Sequence, residues 1–399
     1  MRETPVEPHP VEEPSSGSGM GVDLGSIDRE IGVKDDGRPG PLVIITAGLH
    51  GNEPAGVHAT QRLLAALQDT PTAGRIVALA GNLGALRTGE RHRGQDLNRM
   101  WTEDRLFELA HRDPSDDRPD VVELRALFSL IEAERDAARV RGREVCLLDL
   151  HSTSADGGAF TVVPDAIPSR RLARDIALPV VLGLEQRIEG PLMTWLVSQG
   201  DTATVVEGGQ HDAPMTTEVL LAALWVALDH VGVLPEGDER VRRSRARIER
   251  ETEDAPEVLD LVYAHSIEPD DGFVMEPGWA NFMSARRGQT LALQHEKIVQ
   301  APLDGYMLMP LYQGLGSEGF FLCRPVGRAW LFFSRLLRGS WLERGLRLFP
   351  GVRSMDLRAG EIVVRRGAPH GLARVLHLFG FRKNTPTGDT TVWWRRPQG

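Results

Sequence analysis

Two histidines and two glutamates each follow a stretch of sequence that is typical of a buried strand. With the preceding strand candidate, they are His50 and Glu53 after residues 42–46, His151 after 145–150, and Glu207 after 203–206. Ligands of open α/β sheets bind in the crevice at the carboxyl ends of the strands. We therefore predict that these four side chains converge in one crevice.

Two imidazoles and one carboxylate are the ligand set of a catalytic zinc site that keeps a position for water. We predict that His50, Glu53 and His151 hold one zinc ion, which lowers the pKa of that water to about 7 and polarises a substrate carbonyl. Glu207 is then a carboxylate outside the ligand set that can take the water's proton and pass it to the leaving group. Asp149 lies two residues before His151 on the same strand face, where it can orient an imidazole.

Each of these residues alone has an ordinary structural explanation. A histidine after a strand is more often a hydrogen-bonded loop residue than a ligand. Glu53 alone is a first-turn carboxylate that the dipole of the following helix favours. Glu207 is harder to explain in this way, because it follows an apolar run where a charge is costly to bury. The conjunction of all four favours a metal site over coincidence.

The segments that must position these residues alternate between strand-like and helix-like from Leu42 onward. This alternation is typical of an α/β domain with a largely parallel sheet. The strand candidates are 42–46, 76–80, 145–150, 159–163, 179–182 and 203–206. The helix candidates are 54–68, 120–140 and 216–231, and the second has the spacing of an amphipathic helix.

Composition divides the chain into five predicted parts. Residues 1–25 are rich in Pro, Glu and Ser and are predicted to be disordered, and residues 26–235 are predicted to form the catalytic domain. The stretch 236–257 is almost wholly charged, which indicates a solvated linker. Short apolar runs broken by Gly and Pro predict a small all-β domain over 258–325. Residues 326–399 are predicted to be an appended basic lobe.

The formal net charge of −10 is unevenly distributed. From Arg324 to the end there are 15 Lys and Arg against 4 Asp and Glu, a balance of +11, so the remainder carries −21. We predict that this tail docks on its own acidic body, since it also carries many apolar residues. An anionic partner is the alternative: arginines near Trp330, Trp341, Trp393 and Trp394 permit anionic lipid or nucleic acid, although nucleic acid is not expected.

The composition, with 41% hydrophobic and 26% charged residues, is ordinary for a soluble globular protein. Cys146 and Cys323 lie far apart and form no ligand-spaced pair, so a reducing cytoplasm is predicted. The N-terminus lacks the apolar core of a signal peptide, and no apolar run reaches the roughly 20 residues that span a bilayer. We expect a cytoplasmic protein without a membrane span, and a homo-oligomer is left open.

Four motifs follow one another along the first half of the chain: GLHGNEPAG, GNLGALRTGERHRGQDLNRMW, LLDLHSTS and VVEGG. Together they resemble the succinylglutamate desuccinylase and aspartoacylase family over about residues 40–212, more weakly over 263–325, and not in the basic tail. The resemblance implies a fold like that of the zinc carboxypeptidases, a mixed and largely parallel sheet flanked by helices. The zinc ligands and the general base that it implies are His50, Glu53, His151 and Glu207.

The resemblance also implies roles within the run RHRGQDLNR. Arg91 would polarise the scissile carbonyl and stabilise the oxyanion, and Asn98 with Arg99 would grip a substrate carboxylate. Asp96 would support a histidine ligand from behind. A guanidinium suits such roles because its planar fork matches a carboxylate and its charge is fixed. A solvated basic loop is the alternative explanation for these arginines.

Two positions depart from the family pattern. Amino-acid-specific members hold the substrate's α-carboxylate with a further arginine shortly before the catalytic glutamate, but LVSQGDTATVVE contains none. A tyrosine that those members use from the β domain has no counterpart in GSEGFFL. We therefore expect the family's chemistry without its recognition of an N-acyl aspartate or of succinylglutamate.

The combined prediction is a zinc-dependent hydrolase that cleaves an amide bond in a small N-acylated substrate bearing a carboxylate. A zinc metallocarboxypeptidase that acts on short peptides is one alternative, since it would use the same metal and the same carboxylate grip. A non-catalytic metal-binding or scaffolding protein that acts through its basic tail is another. The presence of all four chemical positions argues against the last alternative.

Overall fold

The structure is a computed structural model that describes residues 27–268, 270–313, 316–357, 360–387 and 389–395. The predicted disordered segment 1–25 lies outside these residues. The described strands are β1 Glu30–Asp35, β2 Leu42–Ala47, β3 Arg75–Ala80, β4 Val145–Thr153, β5 Phe160–Val163, β6 Val180–Leu182, β7 Thr202–Gln210, β8 Val258–Ser266, β9 Val274–Met275, β10 Ser284–Ala285, β11 Thr290–Gln294, β12 Lys297–Gln300, β13 Gly305–Leu308, β14 Glu318–Pro325, β15 Val352–Asp356, β16 Glu361–Arg365, β17 Arg382–Thr387 and β18 Thr390–Trp394.

The helices are α1 Ala55–Ala66, α2 Leu83–Thr88, α3 Glu103–His111, α4 Pro119–Val140, α5 Ile167–Ile176, α6 Leu192–Ser198, α7 Pro214–His230, α8 Glu239–Glu251, α9 Arg328–Leu337 and α10 His370–Leu378. Short 3-10 segments lie at Leu97–Arg99, Pro114–Asp116, Leu184–Gln186 and Trp341–Leu348. No helix among the described residues combines the length and the apolarity that a bilayer crossing requires.

One eleven-stranded sheet runs through the molecule in the order β1-β3-β2-β4-β7-β5-β6-β8-β14-β13-β10. Strands β3, β2, β4 and β7 are mutually parallel, and β5, β6 and β8 are parallel to one another. Antiparallel pairings join β1 to β3 and β5 to β7. The prediction of a mixed, largely parallel sheet flanked by helices is confirmed for the first half of the chain.

Strand β2 explains why helices cover both faces of this sheet. All six of its residues are buried, and successive side chains of a strand point to opposite faces. Val43 and Ile45 enter a core layer shared with α1, α7 and α8, whereas Leu42 and Ile44 enter a layer shared with α3, α4 and α6. A strand that is apolar on both sides requires this sandwich of helices.

The six predicted strands and three predicted helices of the first half are all present, but two strand ends are wrong. Strand β4 continues to Thr153 and β7 to Gln210, so His151 and Glu207 lie within strands and not in loops after them. The reason is that the two strands continue to pair with each other, with His151 directly opposite Glu207.

The predicted solvated linker over 236–257 is also wrong, because this stretch contains helix α8. Val241, Ser244 and Ile248 form a buried stripe at helical spacing, and the first and last of them join the core layer of α7. The guanidinium of Arg240 lies 4.3 Å from the ring centroid of Trp225. The many charges of the stretch occupy the outer faces of a packed helix.

The predicted small all-β domain over 258–325 is continuous with the catalytic sheet. Strands β8, β14, β13 and β10 extend that sheet, because β8 pairs parallel with β6. Only β9, β11 and β12 form a separate three-stranded sheet among the described residues of this segment. The predicted boundary at 258 therefore falls inside one sheet.

The basic tail forms a lobe with its own four-stranded sheet, in the order β15-β16-β18-β17, and its own apolar core. It is attached to the body by a buried ion pair: Arg338 Nη2 lies 2.9 Å from Asp165 Oδ2, and its Nη1 donates to the Asp165 carbonyl at 3.0 Å. Leu331 adds apolar contact to a core cluster of the body. These contacts agree with the prediction that the tail docks on its own body.

Candidate metal centre and active-site cavity

The loop between β2 and α1 presents His50 and Glu53, and both side chains are buried. His50 Nδ1 lies 2.7 Å from Glu53 Oε1. The loop is held close to its neighbours at Gly51, whose amide donates to the Arg91 carbonyl at 3.2 Å. A Cβ at Gly51 would lie 2.1 Å from the carbonyl of Ala85, so this position excludes any other residue.

Strand β4 brings His151 to the same carboxylate. His151 Nδ1 lies 3.0 Å from Glu53 Oε2, and the rings of His50 and His151 are 5.1 Å apart between centroids. One possible ligand atom from each of His50, Glu53 and His151 lies within 4.8 Å of the other two. The structure therefore brings together the three predicted ligands, which come from two distant parts of the sequence.

The opposite nitrogens of both rings are held by two further carboxylates. His50 Nε2 lies 3.1 Å from Asp96 Oδ1, and His151 Nε2 lies 3.1 Å from Asp149 Oδ2. Thr46 Oγ1 in turn donates to Asp149 Oδ1 at 2.6 Å. A carboxylate behind a histidine fixes the orientation of the ring and strengthens it as a ligand. This donor set, supported in this way, fits a divalent metal such as zinc.

The cluster is electrostatically prepared for a cation. Burial raises the pKa of the Glu53 carboxyl, but the imidazoles of His50 and His151 outweigh burial and hold that pKa well below 4.5. Burial lowers the pKa of His151, but the charges of Asp149 and Glu53 outweigh it and raise that pKa well above 6.5. The ionised Glu53 carboxylate and the carboxylates behind the two rings thus form negatively charged surroundings that would stabilise a cation.

Glu207 on β7 has different surroundings from the other carboxylates. It is buried opposite His151, and its Oε2 atom has no hydrogen-bond partner among the described residues. Burial, with smaller contributions from the charges of Glu53 and Asp149, raises the pKa of Glu207 to about 8. A carboxyl that holds its proton near neutral pH is suited to proton transfer.

The loop before α3 carries the predicted substrate-facing residues. Arg91 Nη2 lies 2.9 Å from Asp96 Oδ2 and its Nη1 lies 3.7 Å from Glu53 Oε1. Asn98 Oδ1 accepts a hydrogen bond from the Leu192 amide at 3.0 Å. Arg99 Nη2 lies 3.7 Å from Glu318 Oε2 on β14. Together with Glu207 and the three predicted ligands, Arg91, Asn98 and Arg99 line one cavity of about 380 Å³.

Several residues that line the cavity were not predicted from the sequence. His211 is one of them, and its Nδ1 lies 2.8 Å from the hydroxyl oxygen of Ser152. Glu185, Gln313 and Glu318 also line the cavity. The signal that was available is positional, since Glu318 stands in the segment GSEGFFL where the family's tyrosine is missing.

Much of the cavity wall is apolar. Val205 precedes Glu207 by two residues on the same face of β7, and Val162 is its partner across the sheet. The other apolar lining residues include Leu184, Ile188, Met193, Met309, Leu311 and Phe321. The charged groups therefore converge at one part of a cavity whose remaining surface suits apolar groups.

Comparisons with known proteins agree with this geometry. Residues 39–224 match the sequence model of the succinylglutamate desuccinylase/aspartoacylase catalytic domain. A succinylglutamate desuccinylase of Pseudomonas paraeruginosa is 38% identical over 73 residues, which are 18% of this chain and 21% of that protein. One from Photorhabdus laumondii is 41% identical over 61 residues, or 15% of this chain and 19% of that protein. These alignments span only about a fifth of the relatives' length.

Solved structures show the same fold at low sequence identity. The product-bound ectoine utilization protein EutE (DoeB) from Ruegeria pomeroyi aligns with a TM-score of 0.53 at 18% identity, over 73% of this chain and 87% of its own. Succinylglutamate desuccinylase from Vibrio cholerae aligns with a TM-score of 0.52 at 17% identity, over 73% and 83%. A succinylglutamate desuccinylase/aspartoacylase from Rhodobacter sphaeroides gives 0.52 at 19%, over 74% and 88%.

The fold is thus the α/β fold of the desuccinylases and aspartoacylases. Residues 39–224 match the catalytic domain of the succinylglutamate desuccinylase/aspartoacylase family, in agreement with the resemblance of the four motifs.

Proposed function

We propose that this chain is a zinc-dependent hydrolase that cleaves the amide bond of a small N-acyl amino acid. The observation that carries the proposal is Glu207, a buried carboxyl with a raised pKa that opens to the same cavity as His50, Glu53 and His151. The desuccinylase/aspartoacylase family of the domain supports deacylation as the reaction. The histidine–carboxylate cluster supports a metal ion as the cofactor.

The residues of the cavity divide the reaction between them. An ion held by His50, Glu53 and His151 would polarise the amide carbonyl, increase the acidity of a water molecule and favour the ionised form of Glu207. Glu207 accepts one proton from the water as the water oxygen bonds to the amide carbon. Arg91, held by Asp96, offers positive charge to the carbonyl oxygen as it becomes negative.

The second half of the reaction returns that proton. The carbon–nitrogen bond breaks as Glu207 donates its proton to the leaving nitrogen, which releases a carboxylic acid and an amine. His151 lies opposite Glu207, and Asp149 holds the ring of His151 at its far nitrogen. The backbone pairing of β4 and β7 thus keeps the proton carrier beside the ligand cluster through both halves of the reaction.

The cavity supports a substrate with one carboxylate and an apolar acyl group. Arg99 is the guanidinium proposed to grip a carboxylate, but Glu318 at 3.7 Å and Asp96 at 3.9 Å already share its charge. A second carboxylate, as in succinylglutamate, would lack a matched cation and would face Glu185 or Glu318. The apolar wall beside Glu207 instead suits a hydrocarbon acyl chain.

The test is a panel of N-acyl amino acids assayed on zinc-loaded protein, with acyl chain and amino acid varied independently. We expect the highest kcat/KM for apolar acyl groups on a monocarboxylic amino acid. Short peptides in the same panel test the carboxypeptidase alternative. If every compound remains intact on protein with one bound zinc, the proposal is wrong.

Two variants link turnover to the proposed residues. Glu207→Gln should retain zinc and lower kcat by about 10²- to 10⁴-fold, because the proton carrier is lost while the ligands remain. His151→Ala should lower the zinc content measured by mass spectrometry. Glu218→Gln, on the outer side of α7, is the matched control and should keep both zinc and activity. Full activity in Glu207→Gln would remove Glu207 from the mechanism.

A further inference from the structure

Helix α9 of the tail exposes several large apolar side chains to solvent, although its Leu331 contacts the body. Ser334 is buried and accepts a hydrogen bond from Arg338 Nε at 3.0 Å. Phe332, Phe333 and Leu336 lie on the opposite side at helical spacing, and the exposed fractions are 60%, 53% and 58%. A surface helix whose outer side meets only water normally turns its apolar stripe toward the protein core.

The 3-10 segment that follows α9 also exposes large apolar side chains. Trp341 is 76% exposed and Leu348 87% exposed, and Leu342 and Phe349 are exposed beside them. We call the exposed apolar side chains between residues 332 and 349 the outer apolar face. Its members are Phe332, Phe333, Leu336, Trp341, Leu342, Leu348 and Phe349. Seven exposed large apolar side chains within 18 residues are a concentration that is typical of an interaction site.

The charges around the outer apolar face are positive. The exposed charged residues described between 329 and 349 are Arg335, Arg344 and Arg347. The one acidic residue of that stretch, Glu343, is buried and forms an ion pair with Arg395. The stretch 329–349 therefore offers apolar side chains and positive charge with no exposed carboxylate among its own residues.

A basic cavity adjoins this face. Arg170, Arg171 and Arg174 of α5 line a cavity of about 220 Å³ together with Phe332 and Arg335. Ile167 and Leu331 contribute apolar walls, and Glu257 is its one acidic lining residue. Arg170 already pairs with Asp165 at 3.2 Å, and Arg171, Arg174 and Arg335 are the guanidinium groups of this recess that suit a phosphate head group.

We propose that the outer apolar face docks on the surface of a membrane leaflet that contains anionic lipids. Phenylalanine, tryptophan and leucine beside arginine are the side chains of interfacial helices: the apolar groups enter the acyl boundary and the guanidinium groups meet the phosphates. Charge complementarity selects an anionic lipid surface over a neutral one. The four-arginine cavity is the position at which one head group is held.

Two other occupants fit the face less well. A second copy placed by two-fold symmetry would bring Arg335, Arg344 and Arg347 toward the same arginines of its partner, with no exposed carboxylate between them. Nucleic acid would match the arginines and the aromatic rings, but it would leave Leu336 and Leu348 without an apolar environment.

The test is co-sedimentation of the full chain with vesicles of phosphatidylcholine alone or of equal parts phosphatidylcholine and phosphatidylglycerol, at low and at high salt. We expect binding to the anionic vesicles that weakens with salt. Phe332→Ser, Phe333→Ser and Leu336→Ser combined should lower the partition coefficient by about tenfold or more. Circular dichroism checks that this variant is folded.

Matched controls remove exposed groups of the same type elsewhere. Phe107→Ser with Val140→Ser removes two exposed apolar side chains from α3 and α4 and should leave partition unchanged. A separate variant, Arg335→Gln with Arg344→Gln and Arg347→Gln, should lose most of the salt dependence.

Three results would overturn the proposal. The first is the absence of binding to anionic vesicles at low salt. The second is an equal loss of binding in the Phe107 and Val140 control. The third is a lipid-free dimer, seen by sedimentation velocity, that the Phe332, Phe333 and Leu336 substitutions dissociate. Vesicle binding does not require turnover, so a failure here is distinct from a failure of the proposed hydrolase activity.

Discussion

Among the single residues of the site, Glu207 is the carboxyl group whose surroundings least favour its ionised form. Four neighbouring carboxylates of the site are held by imidazoles, guanidinium groups or hydroxyl groups, whereas one oxygen of Glu207 has no partner among the described residues. The four are Glu53, Asp96, Asp149 and Glu318. A buried carboxyl group without a partner is costly to ionise. Such groups occur more often at functional positions than at purely structural ones.

This conflict predicts a pH-dependent stability for the metal-free protein. Because burial raises the pKa of Glu207 from 4.5 to about 8, the folded chain keeps a proton that the unfolded chain has lost between these pH values. The stabilising contribution of protonated Glu207 is thus complete below pH 4.5 and is lost as the pH rises to about 8. Glu207→Gln cannot lose this contribution.

The variant should therefore match the native chain in free energy of unfolding at acidic pH and exceed it by a few kcal/mol above pH 8. Urea unfolding in the presence of a chelator, repeated across this pH range, measures the difference. Glu218→Gln is the control and should show no such trend. A constant difference between Glu207→Gln and the native chain would contradict the raised pKa.

Asp149 leads to a second prediction about single residues. Asp149→Asn keeps the size of the side chain but removes the charge behind His151, so the imidazole becomes a weaker and less well oriented ligand. We expect zinc affinity to fall by about 10- to 100-fold with the stoichiometry at saturation unchanged. Competition with a chromophoric chelator measures the affinity. Glu134→Gln, which removes a carboxylate paired with Arg75, is the control.

The residues of the candidate site were predicted to different extents from the sequence. His50, Glu53, His151 and Glu207 follow recognisable strands, and their convergence follows from the way parallel sheets are built. Gln313 could not be predicted, because the cavity receives it from a segment more than 100 residues after Glu207 in which no spacing marks it, whereas Glu318 was indicated only by its position in GSEGFFL. The pairing of His211 with Ser152 depends on side-chain geometry that spacing does not contain.

Among the elements, strands β4 and β7 determine the geometry of the site. Both were predicted from apolar runs, but their last residues are polar and were assigned to loops. The pairing of β4 with β7 extends through these polar residues, because a strand between two buried neighbours continues while main-chain hydrogen bonds are available. Sequence patterns locate such strands and misplace their ends.

Helix α8 shows the opposite error, in which composition concealed a regular element. Nine of its 13 residues are charged, yet Val241, Ser244 and Ile248 recur at the spacing of one helical face. Asp238 also caps the helix by accepting a hydrogen bond from the Arg240 amide at 2.8 Å. Periodicity and capping would have identified this helix, whereas the overall charge indicated a linker.

The packing of α8 predicts a stability change that a linker would not show. Ile248→Ala should lower the free energy of unfolding by about 2 to 4 kcal/mol, because Ile248 is fully buried in the core layer of α7. Arg243→Ala, on the outer face of α8, should change it by less than about 0.5 kcal/mol. Denaturant unfolding measures both. Equal, small effects would mean that α8 does not pack.

For the whole molecule, a basic lobe is attached to an acidic body. The uneven charge was visible in the sequence and predicted docking, but the contact itself was not predictable. The attachment depends on the buried pair of Arg338 and Asp165. Nothing in the sequence distinguishes Arg338 from the other arginines of the tail as the residue that forms this pair. The exposure of apolar residues on α9 could not be predicted either, since an amphipathic pattern does not by itself show which side of a helix is exposed to solvent.

The buried ion pair predicts how the lobe is held. Arg338→Met should destabilise the full chain by about 1 to 3 kcal/mol, because the buried carboxylate of Asp165 loses this partner and keeps Arg170, whose Nη1 lies 3.2 Å from its Oδ1. Asp165→Asn combined with Arg338→Met should recover only part of the loss, since it removes the carboxylate that Arg170 also contacts. Arg353→Met, in an exposed pair with Asp389, is the control and should have little effect. Thermal unfolding of the four proteins distinguishes these outcomes.

His151 and Glu207 lie opposite each other on adjacent strands, so main-chain hydrogen bonding fixes the distance between them. Much of the remaining cavity lining comes from connecting segments, including Glu185 and Ile188 before α6 and Met309 and Gln313 before β14. Insertions or exchanges in those connections leave the strand register untouched. Descendants of such a scaffold can therefore diversify their preferred substrates while inheriting one unaltered reaction.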